Sequence, residues 1–265
     1  MFRAFFTALA LCLLSPAFAA GSKEDLSHNR SEADVVRDPA DVRSFVEANL
    51  RETLYHELAH AMIDVMDLSV FGPEEFAADM FSTVMLNTLF RDDAAIDMTA
   101  HIAAAYLDGV PRDGLGATSG VAIWDLHGTD EQRYYNFICM MYGADPDARF
   151  GLIDTYDLPH ERAETCEDEY DLTARSWGKA LDRISPENAP DGFALKLDWV
   201  LDENAPEVKF IKGEIEHLNE VIALPQQVFV SVIPCDEENA FYDPGEREIL
   251  ICTELAAFLA DIAPE

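Results

Sequence analysis

Tyr55-His56-Glu57-Leu58-Ala59-His60 sets two histidines four residues apart, with a glutamate directly after the first, an HExxH array. On a helix, residues four apart lie one above the other, so His56 and His60 would offer two imidazoles to a single ion. Glu57 would stand beside them, within reach of a metal-bound water. That combination is the chemistry of a zinc hydrolase: two neutral nitrogen ligands, a Zn2+ ion that acidifies water, and a carboxylate to take the proton.

A tetrahedral site needs a further ligand from another direction. Glu75 and Asp79 are four apart in Glu75-Phe76-Ala77-Ala78-Asp79. That spacing lets Glu75 bind the metal while Asp79 accepts a hydrogen bond from a ligand imidazole. An acidic first helical turn is the plainer explanation of Glu74 and leaves Asp79 unexplained. Asp64 is the rival third ligand, one turn beyond His60, but it would approach along the same unbroken helix. For the donor that steadies a developing oxyanion, the candidates are His127, in Trp124-Asp125-Leu126-His127-Gly128, and then Tyr134. A loop histidine with no catalytic role is the competing reading of His127.

These residues need helices to hold them. Phe45, Leu50, Leu54, Leu58, Ala61 and Val65 recur at helical steps, predicting one helix from about Asp41 to Met66, with Pro39 before its start. After Gly72-Pro73, helices are expected at Glu74–Leu89, Ala94–Leu107, Asp130–Tyr142 and Pro159–Ile184. The glycine-rich stretch Gly109–Gly120 reads as a loop or lid. Ser185–Gly192 reads as a linker, followed by strands at Phe193–Leu201, Gln227–Ile233 and Glu248–Cys252 and helices at Glu207–Ala223 and Thr253–Ile262. Phe193, Trp199, Phe229 and Phe241 are expected in the core, and Arg133 and Arg175 as partners for the abundant carboxylates. The fold class expected is α+β: one domain over 41–265, with a helical part, 41–184, and a βαββα part, 193–265.

Of the 265 residues, 49% are hydrophobic, enough for a proper core without metal or disulfides merely to fold. The 18 Lys+Arg against 51 Asp+Glu give a net charge of -33, which disfavours nucleic acid and anionic membrane surfaces as partners. Residues 1–19 read as a signal peptide: Arg3, an apolar run from Ala4 to Leu14, then Ala17-Phe18-Ala19 before the cleavage point. The run is too short to span a bilayer, so no stable membrane anchor is expected after cleavage, and 20–40 would be a flexible leader. The expected location is secreted or periplasmic. Four cysteines remain, and an oxidising compartment makes disulfides the default. Of three connectivities, Cys139–Cys166 and Cys235–Cys252 are favoured because each pair brackets a local unit.

The array His56-Glu57-Leu58-Ala59-His60 followed by Glu75-x-x-Ala78-Asp79 resembles the gluzincin metallopeptidases. More narrowly, the chain resembles the bacterial DUF4344 metallopeptidases. The resemblance rests on Tyr55–Ala61, Gly72-x-Glu74-Glu75-x-Ala77-Ala78-Asp79, Asp130–Asn136, Cys139-x-x-Tyr142-Gly143 and Arg162-Ala163-x-x-Cys166-x-x-Glu169-Tyr170. It implies a zincin-like domain, a peptide or protein substrate, His56, His60 and Glu75 as ligands, and Glu57 as general base. The segment Cys235-x-x-x-Asn239-Ala240-Phe241-Tyr242-Asp243-Pro244 resembles one that precedes the HExxH helix in that family, so the order here is read as circularly permuted. That permutation requires the C-terminal strands to flank the same metal. Two other readings stay open: a catalytically silent zincin-like scaffold that binds a protein, and a zinc hydrolase acting on a non-peptide bond.

Overall fold

Asp38 starts the first helix. Its carboxylate accepts from the Ala40 N–H at 2.8 Å and Pro39 occupies the first helical position, so α1 runs Pro39–Val65. It ends where Asp67 enters the left-handed region (φ 50°) and Leu68 N–H donates back to Ile63 O at 3.0 Å. The structure, a computed structural model, describes residues 37–108 and 126–264. The signal peptide, all but the end of the leader, and the Gly109–Gly120 loop of the sequence reading lie outside the described residues.

α1 is buried nearly all round: Phe45, Leu50, Leu54, Tyr55, Leu58 and Met62 are at most 1% exposed. Each such side chain contributes roughly 1.5–3 kcal/mol by leaving water. A helix apolar on most sides must be central. Around it pack α2 (Glu74–Leu89), α3 (Asp92–Asp108), α7 (Pro206–Leu218), α8 (Thr253–Ile262) and two strands, β3 (Ala240–Asp243) and β4 (Glu248–Cys252). Outside α2 lie α4 (Asp130–Gly143) and α6 (His160–Arg183), with the short α5 (Gly151–Thr155) between them in sequence. α4 opens with a reciprocal cap, Gln132 N–H to Thr129 Oγ1 and Thr129 N–H to Gln132 Oε1, both 3.2 Å. The Cys139–Cys166 disulfide ties α4 to α6, and Cys235–Cys252 closes the loop before β3 onto the end of β4.

The remaining strands, β1 (Lys196–Val200) and β2 (Phe229–Ile233), complete one mixed sheet in the order β1-β2-β4-β3, parallel except for β3. The fold is α+β. Residues Arg37–Glu265 pack as one unit. α1 is stitched to the C-terminal part by a buried polar link: Arg51 Nη2 to Glu214 Oε1 at 2.6 Å, and Tyr55 Oη donating to Glu214 Oε2 at 3.0 Å. Phe90 and Phe210 sandwich the Arg51 guanidinium at 4.8 and 4.9 Å. At its other end, the Arg37 guanidinium donates to the carbonyls of Ala260, Asp261 and Ala263, which puts the end of α8 beside the start of α1.

Several expectations need correction. β3 and α5 are elements that periodicity did not mark, each being only four or five residues, so the C-terminal part runs βαβββα. α7 ends at Leu218, five residues short of Ala223. Ser185–Gly192 is a packed turn: Ala223 N–H donates to Ile184 O at 2.6 Å, and a Cβ on Gly192 would meet Ala223 O at 2.7 Å. Trp199 and Phe193 are not core residues: Trp199 is 71% exposed on β1, an edge strand among the described residues with a solvated side, and Phe193, which precedes β1 and bridges to Leu224, is 47% exposed. Phe229 is half-buried, and Phe241 is 36% exposed on the opposite edge strand.

Candidate metal centre

One stripe of α1 escapes the core. Asn49, Thr53, His56, His60 and Asp64 follow one another at three- and four-residue steps and face a cleft of about 910 Å³. That is near the upper end of the ~300–1,000 Å³ usual for ligand sites. α2 forms a second wall with Glu74 and Glu75, and the segment from Glu238 to Tyr242 a third.

Inside the cleft, three ligand-type atoms converge. His56 Nε2 and His60 Nε2 are 3.2 Å apart, and Glu75 Oε2 lies 3.2 Å from the first and 3.3 Å from the second. A tetrahedral ion with bonds of ~2.0–2.1 Å spaces its ligands by ~3.3 Å along each edge. The trio therefore has the spacing of three corners of such a site, and two imidazoles with one carboxylate are a fitting donor set.

The opposite ring nitrogens support this orientation. His56 Nδ1 stands 2.9 Å from Asp79 Oδ1, and His60 Nδ1 stands 2.7 Å from Glu74 Oε1. A carboxylate at each Nδ1 favours the tautomer with its proton there, which leaves both Nε2 lone pairs for an ion. Asp79 is fixed in turn by Arg133, whose Nε and Nη2 donate to Oδ2 and Oδ1 at 3.0 and 2.7 Å. The same guanidinium lies 4.9 Å from the Tyr106 ring centre. Tyr106 Oη and Ser82 Oγ donate to buried Glu52 at 3.2 and 2.9 Å.

Charge at the site follows from these contacts. Burial pulls the His56 pKa down, but hydrogen bonds to Asp79 and Glu75 outweigh it and hold the group up at about 10. His60 is likewise pulled down by burial and raised overall by Glu75 and Glu74. Glu75 is held far below the usual carboxylate range by His127, His56 and His60. Asp79 is raised by burial yet brought down to about 2 by His56 and Arg133. Glu57, only 6% exposed, is pushed up by burial despite the histidines. The field that holds protons on both imidazoles would equally favour a divalent cation in their place.

Glu52, His56 and Asp79 form a second group of ligand-type atoms within 4.8 Å of one another. There, however, Asp79 is committed to Arg133 and Glu52 to two hydroxyls, so the first trio is the better cradle. Asp64 joins neither group among the described residues; it accepts from Tyr242 Oη at 2.7 Å. His127 Nε2 stands 2.8 Å from Glu75 Oε2, and its ring stacks 6.2 Å from that of His56. Tyr134 faces elsewhere, donating to Tyr156 O at 2.9 Å. Sequence reasoning did not find Glu52, Tyr106 or the Glu74–His60 contact. Glu52 had one visible signal, its position a turn before His56.

A family model covers most of this framework. The DUF4344 model, described as "Putative metallopeptidase", matches residues 14–181 and 198–263. The chain belongs to the DUF4344 family. No curated protein and no solved structure matches it. Membership in this metallopeptidase family implies a metal ion, and the cleft holds ligand groups for one.

Proposed function

We propose that this DUF4344 chain is an exported zinc peptidase in which His56, His60 and Glu75 hold the ion and Glu57 is the general base. The observation that carries the reading is the triangle of Nε2, Nε2 and Oε2 atoms at 3.2–3.3 Å, with Glu57 next to His56 on the same helix. Zinc, when bound, acidifies water and polarises a carbonyl. Glu57 takes the proton; the burial that pushes its pKa up makes it a stronger base than a solvated glutamate and a ready donor to the leaving amine. Asp79 and Glu74 hold the two rings in the ligating tautomer. His127, 46% exposed at the cleft and 2.8 Å from Glu75, is the residue we assign as donor to an oxyanion.

The substrate seat we assign is the outer edge of β3, which no strand pairs among the described residues. Cys252 N–H donates to Asn239 O at 3.1 Å, so in the antiparallel ladder the N–H and C=O of Ala240 and Tyr242 turn away from β4 toward the outer edge. An extended peptide laid along that edge would add a strand beside the metal ligands. The reading of the C-terminal strands as a permuted wall of the same site is supported by β3 and β4 packing on α1 and by the Tyr242–Asp64 bond. Two disulfides suit an oxidising location, and no described helix is long and apolar enough to cross a membrane.

The test is a peptide-library cleavage assay with metal analysis. Wild type should cleave and carry one zinc per chain, and Glu57→Gln should keep the zinc and lose cleavage. Glu75→Ala should weaken zinc far more than Asp64→Ala. Cleavage surviving in Glu57→Gln would remove the assigned base.

A further inference from the structure

We propose that the cleft selects basic peptides, with Asp64 and Glu238 as the carboxylates that read two positively charged side chains of a substrate strand. This rests on the peptidase reading of the same cleft and names its substrate class.

The two carboxylates bracket the outer edge of β3, unpaired among the described residues. Glu238 lies just before the strand, and Asp64 is bonded to Tyr242 near its other end. Four residues of extended chain separate Glu238 from Tyr242, a span of ~13 Å. A peptide paired with the outward backbone groups of Ala240 and Tyr242 would run between them. Lysine and arginine stems are long enough to lie along the cleft wall while their heads reach a carboxylate.

Both carboxylates are exposed, and among the described residues neither is paired with a lysine, arginine or histidine. Arg133 is the one lysine or arginine among the described residues lining the cleft, and its guanidinium is committed to Asp79. Asp108 and Asp130 add to the negative lining. At Asp64, Glu238, Asp108 and Asp130 a substrate acid would meet like charge, and a substrate base would meet acid that no free lysine or arginine of the described lining compensates.

Asp64 is held through its carboxylate, and Glu238 through the backbone of its loop. Tyr242 Oη engages Asp64 Oδ2 and leaves Oδ1 open. The Glu238 loop is anchored by the Cys235–Cys252 disulfide, and Glu254 accepts from the N–H groups of Cys235 and Asp236, each at 3.1 Å. A carboxylate already fixed, as Asp64 is, loses little freedom on binding, so its pairing with a cation is realised as affinity. The net charge of -33 attracts any cation to the surface, but removing two charges barely changes that general field. Discrimination that vanishes with these two residues is therefore local.

The experiment uses the full chain loaded with zinc and three peptides of one backbone carrying Lys, Gln or Glu at alternate positions. Binding is read by fluorescence anisotropy on Glu57→Gln, and turnover on wild type. The Lys peptide should bind about tenfold tighter than the Gln peptide at low salt, with the Glu peptide weakest. Adding Asp64→Asn and Glu238→Gln should cut that ratio to about twofold, with zinc content and melting temperature checking the fold. In the parent variant, raising NaCl from about 20 mM to about 500 mM should shrink the ratio too, a test that needs no further substitution. Equal or tighter binding of the Gln or Glu peptide, a Lys preference surviving in the triple variant, or no binding at all would overturn the proposal. Preferential binding of the Lys peptide with no turnover by wild type would instead overturn the peptidase reading and leave the recognition intact.

Discussion

Asp79 joins the proposed metal ligand His56 to the protein behind it, so the pair Asp79 and Arg133 offers a quantitative perturbation. Asp79 lies 2.9 Å from His56 Nδ1 and takes two hydrogen bonds from Arg133 at 3.0 and 2.7 Å. The two side chains are 12% and 20% exposed, so each substitution strands a largely buried charge. Breaking such a pair costs about 3–5 kcal/mol, and the residual exposure argues for about 3. Loss of the carboxylate that orients a ligand histidine typically costs about 10–100-fold in metal affinity. Asp79→Ala should fall near the top of that range, because His56 loses its partner outright. Arg133→Met should fall near the bottom, because Asp79 still faces His56. The double variant should be no less stable than Asp79→Ala alone, since Arg133 is then no longer stranded. Denaturant unfolding of the metal-free proteins, combined as a double-mutant cycle, and zinc competition against a chelator measure both quantities. Stability effects that add within about 0.5 kcal/mol, or a zinc affinity untouched by Asp79→Ala, would refute the coupling.

Metal-free protein should be most stable at mildly acidic to neutral pH. The His56 pKa is raised from 6.5 to about 10, so its stabilising proton is fully present below about 6.5 and is lost as pH climbs toward 10; the Asp79 pKa is lowered from 3.8 to about 2, so its contribution is lost as pH falls from about 3.8 toward 2. Zinc displaces the histidine protons, so the rise in melting temperature on adding zinc should grow from about pH 5 to 8, and a rise that shrinks over this range would contradict the assignment. Gly143→Ala should cost at least about 1–3 kcal/mol in denaturant unfolding, because its Cβ would stand 2.2 Å from Cys166 O where α4 meets α6. Deleting residues 186–265 should unfold the helical part, since it removes Glu214 from Arg51 and Tyr55 and strips α7, α8 and the sheet from α1; a soluble, zinc-loaded fragment would show that part to be independent.

What could be read from the sequence was local. The HExxH spacing, the Glu75–Asp79 step and the bounds of α2 and α8 follow from helical periodicity, and the two disulfides close local units. What the spacing concealed was long-range. Arg133 reaches Asp79 across 54 residues, and Tyr106 reaches Glu52 across the same separation. Glu74 explained itself as a first-turn acid, which hid its contact with His60. Trp199 and Phe241 were expected in the core on residue type, but they sit on the two edge strands, where one side of the sheet stays open. β3 is too short for an alternation pattern, yet it supplies a cleft wall and a backbone edge that is unpaired among the described residues.

The position of the ion can be seen by diffraction from crystals of the zinc-loaded protein at the zinc absorption edge. One anomalous peak per chain is expected, about 2.0–2.2 Å from His56 Nε2, His60 Nε2 and a Glu75 oxygen. A peak among Glu52, His56 and Asp79 instead, or no peak within reach of Glu75, would contradict that placement.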